Sequence, residues 1–217
     1  MRHTGKRSVV EAIKRECISA IIRINDQSLA SDAMEVAVEG GFRMVEFTLT
    51  TPGALVLIGE FSKRSDLIVG AGTVLSPSQA RDAVSAGACF LVAPIVDREV
   101  IEEAIKLDVP SIPGAYTPTE MQNAHRWGAD FVKVFPMPAN GVGFIEAVRG
   151  PLPHLRLFPT AGVTPDNFLE YLEAGCAGVG FVRSLFEPGD LAGANFATIR
   201  DRATAITSRL AEWRSSQ

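Results

Sequence analysis

The sequence is poor in cysteine and histidine, and neither residue type forms a recognisable cluster. Cys17, Cys89 and Cys176 are odd in number and show no C-x-x-C spacing, which argues against a disulfide framework and a zinc knuckle. We expect all three to be reduced core residues. The histidines at positions 3, 125 and 154 form no H-x-x-x-H pattern, so the sequence predicts neither a metal site nor a cofactor.

The chain also lacks an excess of positive charge and any long apolar run. It has 21 lysines and arginines against 25 aspartates and glutamates, whereas a nucleic-acid-binding face is basic. No apolar run approaches the roughly 18 residues of a membrane-spanning helix, and the basic N-terminal stretch, residues 1–17, lacks the apolar core of a secretory signal. We therefore expect a cytoplasmic protein that begins with an amphipathic helix and binds neither nucleic acid nor a membrane.

Short apolar runs alternate with longer amphipathic segments along the chain. The eight runs with strand character cover residues 18–24, 44–50, 67–72, 89–94, 110–115, 131–136, 155–162 and 177–182. Several of the helical patterns between them begin with Ser, Thr or Asp before Pro or an acidic residue and end at Gly, which matches helix-capping chemistry. Eight strand–helix units predict an α/β fold, a (β/α)8 TIM barrel with an N-terminal helix, in a single domain of residues 1–217.

An open, doubly wound sheet is the alternative arrangement of such units. It would carry a glycine fingerprint after the first strand, but the chain reads NDQSLASD at that point, and GAGTVL in the third unit lacks the third glycine. The closed barrel is therefore the favoured fold. Its weakest unit is the fifth, because the predicted strand contains two prolines.

A lysine lies at the centre of the apolar strand GADFVKVFPMP. Strand alternation places Phe131, Lys133 and Phe135 on one face, and chemistry in a TIM barrel gathers at the C-terminal ends of the strands. Glu46 and Arg23 lie at the matching ends of the second and first predicted strands. A buried Lys133–Glu46 ion pair that serves structure alone is one interpretation. Buried ion pairs are weak devices for stability, so three charges at one end of a barrel favour a site.

A lysine that is stripped of water has a lowered pKa, and its neutral amine can attack a carbonyl to form a Schiff base. Cleavage of a C–C bond next to that Schiff base leaves an enamine, which needs a proton from a positioned acid. Glu46 is the predicted acid and base, because an apolar setting raises the pKa of a carboxyl group. An ionised Glu46 would raise the pKa of Lys133, so desolvation must dominate or the carboxyl must often be protonated.

Other strand ends carry candidate binding residues for a small keto acid. The Thr73 hydroxyl could donate to a substrate carboxylate or only pack against the next helix, and Pro94 and Phe135 could form an apolar wall or ordinary core. FPTAGVTPDN and GVGFVRS resemble an anion cradle of backbone N–H groups after the seventh and eighth strands, with a helix predicted to begin near Thr164. Turns that need glycine are the alternative explanation. The candidate anion-binding residues are Thr160, Gly162, Val163, Gly180, Arg183 and Ser184.

Six segments carry a resemblance to a known family. VEFTLTTP, GAGTVL, VAPIVD, PGAYTPTE, FVKVFP and PTAGVTPDN occur in this order within residues 18–185 and resemble the 2-keto-3-deoxy-6-phosphogluconate/4-hydroxy-2-oxoglutarate aldolase family. The resemblance implies a class I aldolase that releases pyruvate, a (β/α)8 fold and a homotrimer. It also implies that Lys133 forms the Schiff base and Glu46 is the acid/base, with a pyruvate pocket and a distal phosphate site around them. The implied pocket residues are Thr73, Pro94 and Phe135, and the implied phosphate site is Gly162 with its neighbours.

Two positions depart from the pattern of that family. The family arginine in E-x-T-x-R, which engages the keto-acid carboxylate, is replaced by Thr50, and a neutral residue cannot form the bidentate ion pair. Relatives that act on galactonate-derived substrates also lack this arginine and carry a small polar residue before a proline. Arg23 could compensate from across the mouth. In the last phosphate loop, Val182 and Arg183 replace Gly-Ser, so phosphate binds differently there or is not required.

The leading hypothesis is a Schiff-base lyase that splits 2-keto-3-deoxy-6-phosphogluconate into pyruvate and an aldehyde such as glyceraldehyde 3-phosphate. An aldolase acting on 2-keto-3-deoxy-6-phosphogalactonate or on 4-hydroxy-2-oxoglutarate is the nearest alternative. Outside aldolase chemistry, the sequence is also compatible with a phosphate-binding barrel isomerase or epimerase and with a non-catalytic ligand-binding relict. Metal-assisted aldolase chemistry would need carboxylate ligands, and the sequence offers no paired set of them.

Overall fold

The structure is a computed structural model that describes residues 5–217. Within this range the predicted N-terminal helix is confirmed as α1 (Lys6–Glu16). The part of that prediction that falls on residues 1–4 lies outside the described residues.

Short parallel strands follow α1 and alternate with helices. The strands are β1 (Ile18–Ile22), β2 (Met44–Thr48), β3 (Ile68–Gly72), β4 (Phe90–Val92), β5 (Ser111–Ile112), β6 (Gly114–Ala115), β7 (Val132–Val134), β8 (Leu157–Pro159) and β9 (Val179–Phe181). The helices are α2 (Gln27–Glu39), α3 (Ala54–Phe61), α4 (Pro77–Ala86), α5 (Arg98–Lys106), α6 (Pro118–Arg126), α7 (Gly141–Arg149), α8 (Phe168–Glu173), α9 (Pro188–Ala192) and α10 (Phe196–Ser215). Among residues 5–217, no helix is both long and apolar enough to cross a membrane.

The strands form the predicted closed barrel. One sheet has the order β5-β4-β3-β2-β1-β9, and a second has the order β6-β7-β8. A parallel bridge between Thr160 and Gly180 joins β8 to β9. On the other side of the barrel, β5 runs through Pro113 into β6. These two short strands together take the place of the fifth strand of the eight-stranded barrel.

The division of the fifth barrel strand into β5 and β6 has a simple cause. Pro113 has no backbone N–H to donate, which interrupts the ladder. Its carbonyl still accepts a hydrogen bond from the Lys133 N–H at 2.9 Å. The next residue, Gly114, packs so closely on the backbone of Pro94 that an added Cβ would lie 2.5 Å from the Pro94 carbonyl oxygen. The two prolines therefore shorten the strand but do not open the barrel.

The lower half of the barrel interior is filled by apolar side chains. Large residues from β2, β3, β4 and β8, together with Phe131 just before β7, pack against the apolar face of α1, which closes the N-terminal end of the barrel. This packing leaves the C-terminal end as the open mouth. The members of this inner core are Val9, Val10, Ala12, Ile13, Met44, Ile68, Phe90, Val92, Ile112, Phe131 and Phe158.

Cap chemistry explains where several helices begin. Ser76 and Asp97 accept hydrogen bonds from the backbone N–H groups three residues later, and Thr117 forms a capping box with Glu120. The prediction that a helix begins near Thr164 is wrong, because α8 begins at Phe168. The residues between them form a turn instead, in which Thr164 and Asn167 exchange backbone-to-side-chain hydrogen bonds of 2.8 and 3.3 Å.

Candidate active site

Lys133 points into the barrel mouth, as the alternation of β7 predicts. Only 4% of its surface is exposed, and its Nζ lies 5.1 Å from the centroid of the Phe135 ring. Below it on the same face, Phe131 belongs to the inner core. The side chain opens into a cavity of about 600 Å³, which is lined by residues from the ends of β1, β7, β8 and β9.

Glu46 is held in the same interior by β2. It is 2% exposed, and its Oε1 has no hydrogen-bond partner. Space for the carboxyl comes from Gly72 on β3, where an added Cβ would lie 2.0 Å from the Glu46 Oε1. Among residues 5–217, no ion pair within 4.0 Å joins Lys133 to Glu46 or to any other carboxylate. A structural ion pair therefore does not explain why the two groups are buried.

The environment shifts both groups toward their neutral forms. Desolvation lowers the pKa of Lys133, nearby Glu46 opposes that shift, and nearby Arg23 adds to it. Desolvation raises the pKa of Glu46, while Lys133 and Arg23 act in the opposite direction. Burial is the largest cause in each case, which is the condition that a nucleophilic amine beside a carboxyl group requires.

The cavity brings together eight of the candidate site residues predicted from the sequence. They are Arg23, Lys133, Phe135, Thr160, Gly162, Val163, Arg183 and Ser184. The charged side chains among the lining residues are all basic, so the cavity is suited to an anionic ligand. The lining also includes Ala161, Thr164 and Val182, which were not among the predicted site residues although they lie within the glycine-containing motifs that indicated the cradle.

The remaining candidates do not line this cavity. Glu46 is buried in the barrel interior, and Gly180 is buried in the barrel wall. Pro94 packs its backbone on Gly114. Thr50 is exposed and lines a separate cavity of about 430 Å³ with residues of α3 and α4. The hydroxyl of Thr73 accepts a hydrogen bond from Arg23 Nη2 at 3.5 Å.

Arg23 places a positive charge at the edge of the cavity. It extends from the end of β1 over the end of β2 to Thr73 at the end of β3. Thr73 has a φ of 60°, which is an outlier for a β-branched residue. Strained backbone of this kind is found at functional sites, where the surrounding structure holds it in place.

The loop after β8, which the sequence predicts to be an anion cradle, lines the cavity. Ala161 and Gly162 have φ angles of 61° and 134°, so the backbone turns sharply at the cavity wall. The Asn167 Nδ2 donates to the Gly162 carbonyl at 2.9 Å, and the Ser184 hydroxyl donates to the Val163 carbonyl at 2.7 Å. Because the Gly162 and Val163 carbonyl oxygens already accept these hydrogen bonds, the loop presents fewer free acceptors that would repel an anion in the cavity.

A family model described as KDPG and KHG aldolase matches residues 9–201. The 2-dehydro-3-deoxy-6-phosphogalactonate aldolase of Escherichia coli strain K12 is 32% identical over 169 residues, which are 76% of this chain and 80% of the relative. A KHG/KDPG aldolase of the same strain is 38% identical over 137 residues, which are 62% of this chain and 64% of the relative.

Solved structures agree with these sequence matches. The KDPG aldolase of Legionella pneumophila, with pyruvate captured as a covalent carbinolamine, superposes with a TM-score of 0.82 at 28% identity. The match covers 91% of this chain and 97% of that one. The relatives therefore agree on the aldolase class, while their names point to more than one substrate.

Proposed function

Because the chain belongs to the KDPG and KHG aldolase family, and is therefore a lyase of the class I aldolase type, we propose that it splits a 2-keto-3-deoxy sugar acid into pyruvate and an aldehyde. The leading substrate is 2-keto-3-deoxy-6-phosphogluconate, which gives glyceraldehyde 3-phosphate as the aldehyde. The observation that carries this proposal is the burial of Lys133 and Glu46 at one barrel mouth without an ion pair between them. Lys133 would form the Schiff base, and Glu46 would move the protons.

The proposed reaction proceeds through a covalent intermediate. The neutral Lys133 amine adds to the C2 ketone, and the protonated Glu46 carboxyl group donates the proton with which the C2 oxygen leaves as water. This gives a protonated Schiff base and a Glu46 carboxylate. The Glu46 carboxylate takes the proton of the C4 hydroxyl while the C3–C4 bond breaks, and the electron pair of that bond passes to the nitrogen as an enamine. The aldehyde departs, and the Glu46 acid gives its proton to C3. Hydrolysis of the Schiff base then frees pyruvate and the neutral amine, and the released proton returns to Glu46.

We assign the keto-acid carboxylate to Arg23 and Thr73. A guanidinium can form a paired, charge-assisted contact with a carboxylate, and Thr50 lies outside the cavity and has no charge. Phe135 beside the Lys133 amine would form the apolar wall against the pyruvate methyl group. Pro94 and Gly180 would act from the barrel wall without lining the cavity.

The distal end of the substrate would lie against the loops after β8 and β9. Arg183 supplies a cation there, and the Gly162 loop supplies a turned backbone, which supports an anionic distal group. A phosphate is the leading choice. The alternatives are the galactonate epimer of the same compound and 4-hydroxy-2-oxoglutarate, whose distal group is a carboxylate that Arg183 could also bind.

Trapping with borohydride tests the Schiff base directly. Incubation with pyruvate and borohydride should add the mass of the reduced pyruvate adduct to the peptide that contains Lys133. Lys133→Ala should abolish both trapping and turnover, whereas Lys106→Ala, which removes an exposed lysine, should leave both unchanged. An active preparation that yields no adduct at Lys133 would overturn the proposal.

A pyruvate-release assay then separates the candidate substrates. The gluconate- and galactonate-derived keto acids are compared with and without the 6-phosphate, together with 4-hydroxy-2-oxoglutarate. We expect the highest kcat/KM for the phosphorylated gluconate compound. A preference for 4-hydroxy-2-oxoglutarate would assign the distal cradle to a carboxylate instead.

We also propose that the chain acts in the cytoplasm as a homotrimer. The three cysteines are free thiols, which supports a reducing compartment. The exposed large apolar residues Leu55, Val56, Leu75, Ile95 and Tyr116 form what we name the apolar arc. They follow the ends of neighbouring strands from β2 to β6, on the half of the mouth away from the substrate cavity, and apolar groupings of this kind mark interfaces.

A further inference from the structure

Three threonine hydroxyls form a network at the end of β2. Thr48 Oγ1 lies 3.0 Å from Thr50 Oγ1 and 3.3 Å from Thr51 Oγ1. Thr48 and Thr51 are buried, with 0% and 2% exposure. Buried hydroxyl groups are costly unless they are hydrogen-bonded, so this network indicates a specific role for the segment TLTT.

The network ends on the backbone just after β1. The ladder between β1 and β2 ends with the pairing of Ile22 and Phe47, so the Ile24 N–H lies beyond the last backbone partner. The Thr51 Oγ1 accepts this N–H at 3.4 Å. Arg23 is thereby held between the last ladder pair on one side and the Thr51 hydroxyl on the other.

The direction of the Arg23 side chain depends on that backbone. Its guanidinium crosses the end of β2 to reach Thr73, in a mouth where the side chain is otherwise exposed. A long exposed side chain loses rotamer entropy when it is fixed in one place. A backbone that already points the side chain across the mouth reduces the number of conformations that must be given up.

We propose that Thr51 is a positioning residue for substrate recognition, which acts by fixing the Ile24 backbone so that Arg23 meets the keto-acid carboxylate. This inference rests on the proposed function. Thr51 does not line the cavity of about 600 Å³ that contains Lys133, and it does not touch the reacting atoms. Its effect belongs to carboxylate binding and not to the chemistry at Lys133.

The test removes the hydroxyl and measures binding and turnover separately. Thr51→Val should raise KM by about fivefold, the cost of one typical hydrogen bond, with kcat within about twofold of the wild type. Thr51→Ser keeps the hydroxyl and should restore the wild-type KM. If Thr51→Val does not fold, as judged by thermal melting, Thr51→Ala removes the same group with a smaller side chain.

A double-mutant cycle separates positioning from a merely structural role. Arg23→Ala alone should raise KM, and adding Thr51→Val to it should cause no further increase, because the two residues act through one contact. Full additivity of the two effects, or a fall in kcat at unchanged KM, would overturn the inference. Failure of borohydride trapping in the wild type would instead overturn the proposed function, so the two failures are distinguishable.

Discussion

Two charged neighbours act on the pKa of Lys133 in opposite directions. Glu46 raises this pKa and Arg23 lowers it, while desolvation, the largest cause, lowers it as well. The amine must be neutral to attack, so the rate of pyruvate trapping should fall on the acid side of the Lys133 pKa. Glu46→Gln removes the group that raises the pKa, and the acid limb of the trapping profile should move to lower pH. Arg23→Ala should move the same limb to higher pH.

The measurement is the borohydride-trapping rate as a function of pH at saturating pyruvate. Variants are compared by the pH at the midpoint of this profile. Their maximum rates are not compared, because loss of Glu46 also slows proton transfer. Lys106→Ala serves as the control and should leave the midpoint in place. If both site variants move the midpoint in the same direction, the assigned signs are wrong.

The residues of the site differ in how far sequence alone could predict them. Lys133 and Glu46 were predicted, because alternation within a regular strand fixes which face a side chain occupies. Thr50 could not be placed in this way. The chain turns after Thr48, where the Thr51 N–H bonds to the Thr48 carbonyl at 2.9 Å, so the alternation of β2 no longer determines where Thr50 points.

At the scale of a single element, the two glycines of β3 leave space for different neighbouring side chains. An added Cβ at Gly70 would lie 2.2 Å from the Phe90 ring, and one at Gly72 would lie 2.0 Å from the Glu46 carboxyl. Gly70→Ala should therefore lower the free energy of unfolding by about 1–3 kcal/mol through overpacking. Gly72→Ala should displace Glu46 and lower kcat by about a hundredfold, the usual contribution of a positioned acid or base.

Urea melts and steady-state kinetics on both variants check this division. Gly59→Ala is the control, since its Cβ would meet only the Ala86 carbonyl oxygen, at an ordinary 3.4 Å. It should leave kcat unchanged and should not lower the free energy of unfolding, because alanine is favoured over glycine inside a helix such as α3. Equal losses of kcat in the two β3 variants would contradict separate roles. The motif GAGTVL thus makes room for a ring and a carboxyl group, which explains two glycines without a dinucleotide.

The sequence predicts strands and helices well where apolar residues recur with a clear period. It fails where small and polar residues interrupt that period. The sequence predicts all eight strand regions, and the fifth is rightly the weakest, since Pro113 divides it. The long helix α10 was not predicted. Ile199, Ala203, Ile206 and Leu210 are buried along it, but Ala, Thr and Ser occur on every face, so its apolar stripe is narrow and gives a weak periodic signal.

At the scale of the whole molecule, closure depends on contacts between distant parts of the chain. The seam between β8 and β9 rests on the bridge from Thr160 to Gly180, and Gly40 after α2 lets α10 approach so closely that an added Cβ would lie 2.4 Å from the Ala203 Cβ. Eight strand–helix units in the sequence indicate a closed barrel. No local sequence pattern predicts which residues of β8 and β9 meet where it closes. Long-range packing of this kind is visible only in the folded chain.

The apolar arc is the surface on which the proposed trimer would depend. If it forms the interface of a homotrimer, a charge placed in it must be buried without a partner, which costs several kcal/mol. Val56→Glu combined with Ile95→Glu should therefore convert the trimer to a monomer, as measured by light scattering coupled to size-exclusion chromatography. Ile105→Glu is the matched control, because Ile105 is an exposed apolar residue near the C-terminal end of α5, at the opposite end of the barrel, and should leave the mass unchanged. A wild-type protein that elutes as a monomer across the micromolar range would contradict the trimer, and a trimer that survives both arc substitutions would place the interface elsewhere.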